Sequence, residues 1–101
     1  MIEEMAHRDP ERAEYAFHAL LPIAGEHVPE LADALATEQR QGVCAWLCEL
    51  LASTGTEDGA HAIAARLSDE REHVRTCAEA WLERMDTKTA RTLHDEHRRS
   101  V

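Results

Sequence analysis

Cys44 and Cys48, one helical turn apart, are the residues of this chain whose type and spacing best suit specific chemistry. Thiols at i and i+4 face the same way from a helix, and such a pair is half of a soft-metal site or a redox-responsive dithiol. His18 is the one neighbour of suitable type that the helical register sets beside them, whereas Cys77 falls elsewhere on its own helix. Cysteine is also among the most buried residue types, so the pair reads more simply as two small apolar core residues. Zinc sites usually show two paired ligand motifs, and this chain has no second convincing pair. His94-Asp95-Glu96-His97 sets two histidines at i and i+3, a spacing that can share a metal, but in an Arg-rich tail that reads as frayed and solvated. No metal and no other cofactor is expected.

Catalytic signatures are missing as well. There is no Gly-rich phosphate loop, nucleophile elbow or His-Glu-x-x-His motif. The acid pairs Glu3-Glu4, Asp69-Glu70 and Asp95-Glu96 are adjacent in sequence, so on a helix their members point about 100° apart and do not face each other. The chain is expected not to be an enzyme. His7, His27, His61 and His73 fall beside turns or charged faces and would make association sensitive to pH at about 6.5.

Charge is the stronger guide. The 101 residues carry a net charge of −9, and the imbalance is uneven. Residues 1–50 hold ten acids against Arg8, Arg12 and Arg40, whereas residues 51–101 hold ten acids against eight bases. Such a surface argues against direct binding of nucleic acid, which needs clustered Lys and Arg. It suits a basic protein partner, including one that itself binds nucleic acid, although the same acids serve solubility in any small domain. No signal-type amino terminus and no run of eighteen apolar residues is present, so no membrane partner is expected. An odd number of cysteines, two of them on one helical run, fits reduced thiols and a cytoplasmic protein.

The elements that must carry these residues are written three times. At a spacing of thirty or thirty-one residues, Ala13, Val43 and Val74 fall into register, as do Phe17, Leu47 and Ala78, and Leu21, Leu51 and Leu82. Each set lies at i, i+4 and i+8 of one helix, and each is preceded by a shorter apolar segment: Ile2-Met5, Leu31-Leu35 and Ile63-Leu67. Such a period marks stacked helical hairpins, none of which buries its apolar face alone. Asp9-Pro10 reads as an N-cap and first helical position, and Gly25 as a left-handed end after Pro22 disturbs the helix. Thr37 breaks or kinks a second helix. A third runs over residues 38–53 to Gly55, and Thr54 and Glu57 have capping-box spacing before the fourth. Ser68 or Asp69 caps the fifth, which runs to Met85, and Asp86 or Thr87 opens a last, polar helix. Residues 43–52 are apolar almost all round, as in a helix covered on several sides or one that forms a dimer seam. Trp46 and Trp81 flank the core stripe and read as packing residues before partner anchors.

The third unit, Ile63 through Asp69 to Val74-Arg75 and on to Ala78 and Leu82, resembles a HEAT-type repeat, and the thirty-residue period resembles the shorter, bilin-lyase-like variants. The resemblance implies an Asp69–Arg75 hydrogen bond around the turn, and a scaffold or binding surface rather than a catalyst. Units one and two follow the pattern more loosely, with Asp9 and Glu38 near the turn position and Glu14 and Cys44 in place of the arginine.

The expected protein is therefore all-α: one domain over residues 1–101 with hairpins at about 2–25, 28–55 and 57–86 and a C-terminal helix over 87–101. Its expected task is to bind a protein partner, as an adaptor or inhibitor, through Glu3, Glu4, Glu11, Glu14, His18, Glu26, Glu30, Asp33 and Glu38, with Asp69 and Arg75 structural. Self-assembly through the 43–52 helix, and a metal or redox role for Cys44 and Cys48, are the alternatives.

Overall fold

In a computed structural model, which describes Met5 and residues 8–100, the chain is all-α. Among the described residues six α-helices follow one another: α1 (Pro10–Leu20), α2 (Val28–Thr37), α3 (Gln41–Ser53), α4 (Glu57–Ala64), α5 (Glu72–Arg84) and α6 (Lys88–Ser100). A 3-10 segment, Leu21–Glu26, continues directly from α1. No strand occurs among the described residues. The segments Ile2-Met5 and the residues Glu3, Glu4 and His7 named above fall wholly or partly outside them.

The helices sort into two layers. α1, α3 and α5 pack in one, and α2, α4 and α6 in the other, with α3 also meeting α2 and α4 across the interface. The alternating assignment follows from the period: helices that bear equivalent stripes stack on one another. α3 is the central member and buries Val43, Cys44, Leu47, Cys48, Leu50 and Leu51 within the chain itself. Much of its apolar circumference is therefore covered by neighbouring helices, with Ala45, Trp46 and Ala52 partly exposed. Small residues let the layers approach closely. Ala60, Ala78 and Ala90 are fully covered beside Leu31, Leu35, Ile63 and Leu82. Trp46 lies flat against Phe17, with ring centroids 5.3 Å apart, and joins α3 to α1.

Local chemistry accounts for most ends. Asp9 caps α1 by accepting from the Glu11 N–H at 3.0 Å, with Pro10 in the first turn. Pro22 turns the chain into the 3-10 segment, and Gly25 does not take the left-handed conformation expected of it. That conformation belongs to Gly55 (φ 63°), which closes the α3–α4 connection. The cap of α4 is Thr56, not Thr54: its hydroxyl accepts from Gly59 N–H at 3.0 Å. Thr54 instead donates its hydroxyl to the Leu51 carbonyl at 2.7 Å. A Cβ at Gly59 would lie 2.6 Å from the Leu51 carbonyl oxygen, so this start of α4 passes too close to α3 for any side chain.

α6 departs from the frayed tail that its composition suggests. Ala90, Leu93, His94 and His97 fall at i, i+3, i+4 and i+7, and this stripe packs on α4 and α5 with Ala90 and His94 buried. Thr87 starts it, accepting from the Ala90 N–H at 3.1 Å.

Candidate functional site

Two turns, 31 residues apart, share an acid-x-Arg pattern and one geometry. In Glu38-Gln39-Arg40, between α2 and α3, the Glu38 carboxylate accepts from the Arg40 N–H at 3.0 Å, and from Nε at 2.7 Å and Nη2 at 2.8 Å. In Asp69-Glu70-Arg71, between α4 and α5, the Asp69 carboxylate accepts from the Arg71 N–H, Nε and Nη2, all at 2.9 Å. Arg40 and Arg71 are the extended residues that precede α3 and α5. An acid two positions upstream can thus cap the chain and hold the arginine fork at once. Bidentate, charge-assisted pairs of this kind are stronger than neutral hydrogen bonds. Arg40 holds the Glu38 carboxyl down from the ordinary 4.5 to about 2, and Arg71, aided by Arg66, holds Asp69 well below the usual carboxylate range.

The second turn also reaches across the structure. Arg71 Nη2 donates to the carbonyls of Leu35 at 2.9 Å and Ala36 at 3.1 Å, and Nη1 donates to the carbonyl of Glu38. These carbonyls end α2, where intrahelical partners run out and a cation is favoured by the helix dipole. The Cys44 thiol donates to the same Glu38 carbonyl at 3.2 Å. Arg66 adds a 3.0 Å bond to Asp69. The two turns border a groove of about 450 Å³, with Ala36 and Gln39 on one side and Ala65 and Ser68 on the other. Asp69, Arg66 and Arg71 in its wall are paired with one another, which makes this wall a clamp between units.

The expected Asp69–Arg75 hydrogen bond forms, but to the main chain of Asp69 and not to its carboxylate. Arg75 Nη1 donates to the main-chain oxygens of Asp69 at 2.7 Å and Glu70 at 3.0 Å, while the carboxylate is filled by Arg71 and Arg66. Arg75 sits one turn inside α5, so the carbonyls at the turn's rim are what it meets first. The acid-x-Arg pattern was present in the sequence at the same period as the apolar stripes, and it is the signal that a search confined to apolar register passes over.

Of the proposed partner-binding residues, Glu11, Glu14, His18, Glu26, Glu30 and Asp33 are exposed on α1, the 3-10 segment and α2. Glu14 lies 3.4 Å from His18, and Glu30 lies 3.2 Å from His27. Glu38 does not belong with them. Its side chain is only 10% exposed and its charge is neutralised by Arg40, so it is a turn residue.

Cys44 and Cys48 are fully buried, as their reading as small core residues expects, whereas Cys77 on α5 comes nearer to both than its place on its helix suggests and raises their pKa electrostatically. Burial pushes Cys48 up to about 12 and also raises Cys44 and Cys77, so none favours the thiolate that metals and disulfide exchange require. His18 is exposed and does not share their site, although the helical register sets it beside them. His94 is buried, its Nε2 has no hydrogen-bond partner, and it lies 4.0 Å from Glu79 Oε1, while His97 is half-buried; the two histidines do not form an open surface pair. Among the described residues, no group of three or more His, Cys, Asp or Glu is placed to hold a metal. No described helix is long and apolar enough to cross a membrane. Comparison with known proteins returns no significant match, whether to a family model, to a curated protein or to a solved structure.

Proposed function

We propose that this chain is a small, HEAT-like helical protein that binds a basic protein partner, as an adaptor or an inhibitor, through the acidic surface of its N-terminal third. The observation that carries the reading is the exposure of Glu11, Glu14, Glu26, Glu30 and Asp33 in a span where Arg12 is the one Lys or Arg between residues 9 and 37. Carboxylates of one sign on a rigid scaffold attract a basic surface at long range and speed encounter, an effect that salt screens over about 10 Å at 0.1 M. The stacked layers supply the rigidity, since α1 and α2 both rest on α3. The chemistry of the buried thiols gives no comparable support to a metal or redox role. The test reverses Glu11, Glu14, Glu30 and Asp33 to Lys and follows association with a partner captured at low salt. The reading expects slower association and a flattened salt dependence; association at an unchanged rate and salt slope removes it. Glu11 and Glu30 lie in the first turns of α1 and α2, where acids are favoured, so circular dichroism must show that the variant keeps its helices.

A further inference from the structure

α6 is the last helix of its layer, and it is held differently from the two before it. α2 turns Val28, Leu31 and Leu35 inward, and α4 turns Ala60 and Ile63. α6 buries Ala90 and His94, with Leu93 half-buried between them. His94 is the one polar or charged residue buried among those described. The outer face of the helix is charged, since Lys88, Arg91, Asp95, Arg98 and Arg99 are all exposed.

The buried imidazole docks with a defect. Its Nε2 is closed off from solvent and makes no hydrogen bond, and Glu79 Oε1 on α5 stands 4.0 Å away, beyond hydrogen-bond reach. Glu79 is itself 55% exposed and solvated where it stands. A buried polar atom left unpaired gives up its hydration without replacement, so docking α6 sets a desolvation penalty against a small apolar gain. The join to α5 is local. Thr87 caps α6, Arg91 meets the exposed Asp86 at 2.6 Å, and Met85 before them stays buried. The first turn of α6 is thus held by its own neighbours in sequence.

We propose that α6 is a detachable cap, which leaves α4 and α5 by hinging at Asp86 and Thr87 while the other five helices stay folded. Of the buried core cluster α6 supplies Ala90 alone, so the core centred on α3 survives its departure. Elements with few buried apolar contacts are the ones that open apart from the rest of a fold. Release uncovers the sides of α4 and α5 on which α6 packs. The proposal goes beyond the acidic-surface reading and does not depend on it.

The test is native-state hydrogen exchange on the full chain, read residue by residue where exchange reports the opening equilibrium. The amides of Leu93 to Arg98 are expected to be about a hundredfold less protected than those of Leu47 to Leu51, and to respond little to added denaturant. His94→Leu, which sets an apolar side chain in the buried place, is expected to raise the protection of α6 about tenfold. Thr92→Leu, at an exposed position, brings a similar gain in helix propensity and is expected to raise it by much less. Equal protection and equal denaturant response in α6 and α3 overturn the proposal, because α6 then opens only with the whole chain. No protection in α6 overturns it as well, since a helix that never docks is not a cap. Equal gains from the two variants overturn the part given to His94.

Discussion

The turns at Glu38–Arg40 and Asp69–Arg71 are nearly the same object locally, yet their arginines differ in how far they are shielded from water. In each, an acid caps the chain and grips the arginine two residues on. Arg40 is 48% exposed, so water competes for its guanidinium, whereas Arg71 is 16% exposed and spends its remaining donors on the carbonyls that end α2. What differs is how far water reaches each guanidinium. α5 stacks on α3, and that places Arg71 against the end of the preceding unit's first helix.

Removing Arg71 should have the largest effect on this comparison. Arg71→Ala strands the Asp69 carboxylate and the α2 carbonyls together, and a loss of about 2–4 kcal/mol in denaturant unfolding is expected, at or just below the range for breaking a buried pair. Arg71→Lys should recover less than half of that loss, because an ammonium cannot serve a carboxylate fork and separate carbonyls at once. Full recovery with Lys would show that charge alone matters at this turn.

Acid should act on both turns. Glu38 and Asp69 have folded pKa values below their unfolded ones, so the stability they add is present above the unfolded values and is lost as pH falls through the folded values. For Glu38 the loss should run between the ordinary 4.5 and about 2; for Asp69 it should still be incomplete there. Thermal midpoints recorded down the acid range should fall by an amount worth about 1–3 kcal/mol in total, discounted for the solvent that reaches the turns. Arg71→Ala should flatten that dependence more than Arg40→Ala does. The smallest effect is expected of Arg40→Ala at neutral pH, about 1 kcal/mol or less, as for other half-exposed ion pairs. A cost equal to that of Arg71→Ala would erase the distinction between the turns.

The all-α class and the placing of the main helices were legible because the chain writes its apolar stripes at i, i+4 and i+8 and punctuates them with proline and glycine. Asp9-Pro10 and Thr37 mark boundaries that local chemistry alone decides. Gly25 and Thr54 misled for one reason: each has a residue type suited to an end, and tertiary packing placed that end elsewhere. α6 was undervalued because its four inward residues include two histidines, which carry little weight in an apolar count although His94 is buried. At the candidate site, the exposed acids of α1 and α2 were readable from charge and helical phase. Glu38 was not, since only the fold shows that the arginine two residues later closes on it. Cys77 was set apart from Cys44 and Cys48 by its place on its own helix, and the stacking of α5 on α3 brings it near.

The acidic surface is tested most directly by moving charge at two places and reading one partner. Protein bearing Lys at positions 11, 14, 30 and 33 is compared, in graded-salt capture of a basic partner, with protein bearing Lys at positions 70, 72, 79 and 83. The two variants carry the same net charge. If the N-terminal third is the binding surface, the first variant loses the partner at low salt and the second retains it. Equal loss by both would reduce the interaction to net charge, and retention by the first would contradict the assignment.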